Sequence, residues 1–216
     1  TPDGEVKRHA FLPRNPDLVL VDTQVIAEAP VRTLVAGMGD ALATRFEAES
    51  CRLASVPNAT GHRGAFTALD LARLCYDTLI AEGPLARRAC EDDAVTKGLE
   101  RIVEANTLLS GIGFESGGLA TAHALDKAFL AAEGPRDFMH GERVAFGTLA
   151  SLFLTAKPND VVDEVYRFAR AVGLPTRLAG VGLGDASEDD LRRIADAACA
   201  EGSKIHNEPR PVSPEE

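Results

Sequence analysis

From Pro30 onward the apolar residues of this 216-residue chain recur at helical spacing. In 65–81 the spaced set is Leu69, Ala72, Leu74, Cys75 and Leu79; in 94–109 it is Leu99, Ile102, Val103 and Ala105. A first helix is expected to pass Gly37-Met38-Gly39 and run on through 40–53. Gly83-Pro84 is expected to break the next one and leave a short helix over 85–91. Gly111 and Gly113 are expected to end the third, and Ser116 to cap a crowded helix of small residues over 117–132. His140-Gly141 opens a helix to Thr155, Pro158-Asn159-Asp160 one to Val172, and Ser187-Glu188-Asp189-Asp190 one to about Ala200.

Residues 1–24 have a different character. Asp3-Gly4 and Pro13-Arg14-Asn15-Pro16-Asp17 are turn signals around a possible strand at 5–12, and Leu18-Val19-Leu20-Val21 is a short apolar run with the pattern of a buried strand. Two short strands do not make a stable sheet alone. They read as the edge of a domain whose earlier part lies outside the chain. Ser213-Pro214-Glu215-Glu216 likewise has the grammar of a helix start. The expectation is a mainly α chain with material missing at both ends.

Composition narrows the function classes. Apolar residues make up 45%, aromatics 5%, and there is no Trp, which favours helices packed through small side chains over a β-sandwich. A formal net charge of −10 repels phosphate backbones and anionic lipid, so neither nucleic acid nor membrane is an expected partner. Cys51, Cys75, Cys90 and Cys199 form no CxxC and read as small buried hydrophobes of a reducing, cytoplasmic compartment. No run approaches the roughly 20 apolar residues of a membrane span.

Of five histidines, His9, His62 and His206 read as surface or structural residues. His123 sits between Ala122 and Ala124 in the small-residue helix, and His140 precedes Gly141 at a helix start. Each is either an ordinary histidine or a metal ligand. A third ligand is needed. Asp40, between Gly37-Met38-Gly39 and Ala41-Leu42-Ala43, is the best carboxylate, with a helix N-cap as its alternative role. GxSxG, HExxH and Glu-x-x-His patterns are absent, and Gly180-Val181-Gly182-Leu183-Gly184 reads as a turn because no apolar strand precedes it.

Three segments, VRTLVAGMGDALAT (31–44), GFESGGLATAHA (113–124) and HGERVAFG (140–147), resemble, in this order, the metal-binding segments of glycerol dehydrogenases. These belong to the iron-type, or group III, metal-dependent alcohol dehydrogenases. The resemblance implies Asp40, His123 and His140 as the three metal ligands. Many iron-type relatives carry a further His four residues after the Asp; here that residue is Thr44, which favours Zn2+ over Fe2+. Where some relatives have a second His one turn beyond the first helix His, this chain has Lys127. Asp126 reads as a surface acid, with a place behind a ligand as the other option.

The resemblance further implies a helical metal-binding domain of the dehydroquinate-synthase-like fold over 29–216, with 1–28 a remnant edge of an N-terminal α/β NAD-binding domain. It implies zinc-dependent, NAD-linked oxidation of glycerol or a related vicinal diol, and a homo-oligomer. No residue of this chain is singled out for binding NAD, and none beyond the metal ligands for catalysis, so the chain alone is expected to be inactive. The alternative is a non-catalytic helical assembly module without metal.

Overall fold

The computed structural model describes residues 14–131 and 137–216, and every regular element among them is helical. In order they are α1 (Thr23–Ala27), α2 (Val31–Ala54), α3 (Phe66–Glu91), α4 (Lys97–Glu104), a π-helical turn (Ala105–Leu109), α5 (Ser110–Gly117), α6 (Thr121–Ala131), α7 (His140–Leu154), α8 (Asn159–Val172), a 3-10 turn (Leu178–Val181), α9 (Glu188–Ala198) and a second 3-10 turn (Lys204–Asn207).

The larger core joins faces of α2, α3, α4, α7 and α8. Met38, Leu42, Leu79, Leu99, Ile102 and Leu152 are fully buried there, and burying a side chain of this kind stabilises by roughly 1.5–3 kcal/mol. A second core joins α6 to α9 through Ala128, Phe129, Ile194 and Ala198. Between the two, Ala43 of α2, Ala122 of α6 and Val144 of α7 meet with no exposed surface. Backbones approach closely at this crossing. A Cβ on Gly141 would run into the carbonyl oxygen of Ala36, and one on Gly39 into that of Gly141. Of the two glycines in the α2 pattern, Gly39 therefore admits α7 and Gly37 faces the Asn106 side chain of the π-helical turn; neither ends the helix.

Several expectations need correction. Residues 18–21 form no strand: Leu18, Val19 and Leu20 are 77%, 68% and 87% exposed, and the chain turns at Asp22, whose side chain caps α1. A strand needs a neighbour for its backbone groups, and none lies among the described residues, so the remnant hairpin is not supported. The possible strand at 5–12 lies outside the described residues. Gly83-Pro84 does not break α3. Gly83 lets the Phe168 ring and the Met38 sulfur close in, and Ala86, Ala89 and Cys90 beyond it are buried. That packing outweighs the hydrogen bond the proline removes. Gly111 and Gly113 do not end their helix either. Helical structure continues to Gly117, because Gly113 sits against the Thr44 methyl and Ala72. The chain leaves the helix at Gly118, with φ +101, so Ser116 lies inside α5 and α6 starts at Thr121.

Gly141→Ala should cost at least about 3 kcal/mol or prevent folding, because the clash is backbone on backbone. Gly111→Ala, with nothing within 4 Å of the added methyl, should gain up to about 1 kcal/mol through helix propensity. Urea denaturation of the two variants checks both signs.

Candidate metal centre

Three helices deliver the three sequence-selected residues to one place. Asp40 comes from the middle of α2, His123 from the first turn of α6 and His140 from the first residue of α7. Asp40 Oδ1 lies 3.3 Å from His123 Nε2 and 3.4 Å from His140 Nε2. The imidazole centroids are 5.4 Å apart. One ligand atom from each residue falls within 4.8 Å of the others, and among the described residues this is the group that satisfies a metal-site geometry. The Asp40 and His140 side chains are 42% and 49% exposed while that of His123 is 16% exposed, so the group opens to solvent on one side.

Both rings are held from behind. His123 Nδ1 lies 2.6 Å from Glu47 Oε2, and His140 Nδ1 lies 3.0 Å from Asp126 Oδ2. Glu47 and Asp126 are buried. Arg143 Nε donates to Asp126 Oδ1 at 2.7 Å, and its guanidinium also reaches the Phe138 carbonyl. The start of α7 is fixed by Glu142, which accepts from the Met139 N–H at 2.8 Å and is gripped by Arg32 at 2.6 and 2.7 Å.

A carboxylate is an acceptor, so each Nδ1 donates and carries a proton. When the rings are neutral, both Nε2 atoms and Asp40 Oδ1 then converge as three acceptors without a donor. Either protons or a cation must lie between them. For a tetrahedral zinc with bonds of about 2.0–2.1 Å, neighbouring ligand atoms stand about 3.4 Å apart. The observed 3.3 and 3.4 Å match that spacing. The residues present fit a divalent cation.

Without a cation, protons fill the role. Burial disfavours a charged His123 ring, but Glu47 and Asp40 outweigh it and raise its pKa to about 10. Hydrogen bonds to Asp126 and Asp40 raise that of His140 to about 9. Burial alone would raise the Asp40 carboxyl, yet its two histidine partners hold it well below the usual carboxylate range.

The other candidates lie elsewhere. His62 is exposed in a loop, His206 Nε2 lies 3.1 Å from the Cys199 carbonyl just beyond α9, and His9 lies outside the described residues. Thr44 is buried against Ser110, 3.1 Å from its hydroxyl, and Lys127 is exposed. Asp126 is not a surface acid, because His140 and Arg143 enclose it. Sequence reasoning missed Glu47. Its one signal was its place two helical turns after Asp40, on a face whose other residues, Ala43, Thr44, Ser50 and Cys51, are small.

No family model matches the chain. Individual proteins do. It is 59% identical over 213 residues to a glycerol dehydrogenase of Thermotoga maritima, covering 99% of this chain and 58% of that protein. It is 52% identical to one of Citrobacter freundii, covering 100% of this chain and 59% of that protein. The crystal structure of a probable glycerol dehydrogenase from Sinorhizobium meliloti superposes with a TM-score of 0.94 at 40% identity, over 100% of this chain and 61% of that one. Over nearly its whole length the chain is similar to glycerol dehydrogenases. It spans somewhat under 60% of the length of these curated relatives. Its described structure, helical throughout, shares its fold with part of an iron-containing alcohol dehydrogenase from Thermococcus thioreducens, which superposes with a TM-score of 0.67 at 19% identity over 90% of this chain and 51% of that one.

The raised histidine pKa values have a consequence for the metal-free protein. Charged His123 and His140 contribute stability that is fully present below their ordinary pKa of 6.5 and is lost as pH rises through about 9 and about 10. Urea midpoints measured with chelator should fall across that window. His123→Ala should flatten the fall.

Proposed function

We propose that Asp40, His123 and His140 hold one zinc ion, and that this chain supplies the metal half of an NAD-linked oxidation of glycerol, or a related vicinal diol, to dihydroxyacetone or the corresponding hydroxyketone. The observation that carries the reading is the convergence of one carboxylate oxygen and two imidazole nitrogens within 4.8 Å of one another, each ring tied from behind by a carboxylate. The 59% identity to a protein named glycerol dehydrogenase supports the substrate.

Zinc is preferred to iron on ligand count. Three protein ligands suit a four-coordinate ion with one position left open. The residue one turn beyond Asp40 is Thr44, whose hydroxyl is engaged by Ser110 and brings no fourth nitrogen. A bound divalent cation supplies Lewis acidity toward an alcohol oxygen. The chain's own residues do the rest of what this part contributes. Asp40 and His140 form the exposed rim from which a small polyol enters, and His123 closes the inner side. Glu47 and Asp126 keep both Nε2 atoms aimed at one point. Residues 29–216 make up the metal domain in this reading, and 1–28 the edge of the nucleotide domain. No residue here is assigned to the nicotinamide cofactor, whose chemistry takes the hydride.

Protein purified without chelator should carry close to one zinc per chain, and His123→Ala should lose it. Both rings are charged at pH 7 in the metal-free protein, so zinc uptake should release about two protons per ion, one from each ring. Calorimetry in buffers of different ionisation enthalpy counts them. A chain that takes up no metal contradicts the assignment; uptake with no proton release contradicts charged rings in the metal-free protein. The chain alone should show no NAD-dependent glycerol oxidation. Turnover by the isolated chain would show that the active site is complete within it.

A further inference from the structure

We propose that Glu47 is the positioning residue of this centre: one buried carboxylate both caps α6 and fixes the tautomer of His123. The inference rests on the metal reading above. Glu47 Oε1 accepts from the backbone N–H of Ala120 at 2.9 Å and of His123 at 3.0 Å, and Oε2 accepts from His123 Nδ1 at 2.6 Å. The side chain is 2% exposed.

All three partners present N–H groups. Two are orphan donors at the start of a helix, which must find an acceptor when buried. The third is the ring. An ionised carboxylate offers acceptors on both oxygens and meets the three needs together. The proton is thereby held on Nδ1, and the lone pair of Nε2 faces Asp40. Glu47 lies seven residues, about two turns, after Asp40, on the same face of α2. A single rigid helix thus carries a ligand and the group that orients a second ligand. The His123 ring is clamped between them, 3.3 Å from one and 2.6 Å from the other.

Glu208 provides an internal control. Its Oε1 also caps the start of α6, accepting from the Thr121 hydroxyl at 2.6 Å and the Thr121 N–H at 3.3 Å. Its hydrogen bonds go to Thr121 rather than to either imidazole. Glutamine is nearly isosteric with glutamate but has one acceptor oxygen and one donor nitrogen. At position 47 its oxygen can serve the backbone or the ring, not both. At position 208 one oxygen suffices for Thr121.

The test is competition for zinc, as the metal alone, between a chromophoric chelator and the unsubstituted chain, Glu47→Gln or Glu208→Gln, with thermal melting of each metal-free protein alongside. Glu47→Gln is expected to weaken zinc binding about 10- to 100-fold, while Glu208→Gln leaves it within about twofold. Unchanged affinity in Glu47→Gln, whatever its melting temperature, overturns the proposal. So does an equal loss in Glu208→Gln, which would mark a general loosening of α6. If the unsubstituted chain binds no zinc, the metal reading falls and takes this one with it, and that outcome is distinct from both others.

Discussion

The structure depends on a crossing where three helices touch without side chains of any size between them. Ala43, Ala122 and Val144 fill the centre, and Gly39 and Gly141 let α2 and α7 meet at backbone distance. Helix axes usually stand 8–10 Å apart when larger residues intervene. A short aspartate side chain on α2 can reach two imidazoles on neighbouring helices only where that separation shrinks. The apolar cores on either side hold the crossing shut.

The crossing brings with it a concentration of buried charge. Glu47, Asp126 and Arg143 are each under 10% exposed, and His123 is mostly enclosed. Burying charge in this way is tolerated only when each group has hydrogen-bonded partners of opposite sign. Here the groups alternate in sign along one chain, Glu47–His123–Asp40–His140–Asp126–Arg143, so every member has a complementary neighbour. The arrangement also orders preferences: a divalent cation at the centre serves all three inward atoms together, whereas protons must be shared around an asymmetric ring of contacts.

Much of this was legible in the residues. Helix identity followed from apolar spacing, and the starts at His140, Asn159 and Glu188 carried local signals that tertiary packing did not override. The three inward residues were reachable because histidines are few and Asp40 sits among small neighbours. Glycine and proline misled where their role was contact rather than termination, at Gly83-Pro84, Gly111 and Gly113. Sequence spacing says nothing about which neighbour fills the gap a glycine leaves. The apolar run at 18–21 misled for the complementary reason, since strand pairing is settled by a partner and not by the run itself. Glu47 and Asp126 look like ordinary helix-surface acids in one dimension. Their burial arises from helices far away in sequence, 76 residues separating Glu47 from the ring it holds.

The π-helical turn at Ala105–Leu109, closed by the Ser110 N–H on the Ala105 carbonyl, sets a phase. It accommodates one residue more than an α-turn, so the residues after it sit about 100° behind the phase an unbroken α-helix would give them. In an unbroken α-helix Ser110, seven residues after Val103, would continue the stripe of Leu99, Ile102 and Val103; the offset turns Ser110 and Gly113 to the adjacent face, where they meet Thr44 of α2. Removing one residue from the turn would regularise the helix and leave Ser110 facing Thr44, whereas regularising it at full length would rotate Ser110 away. The irregularity acts as a gear tooth that lets α4 mesh with α3 and α5 with both α3 and α2.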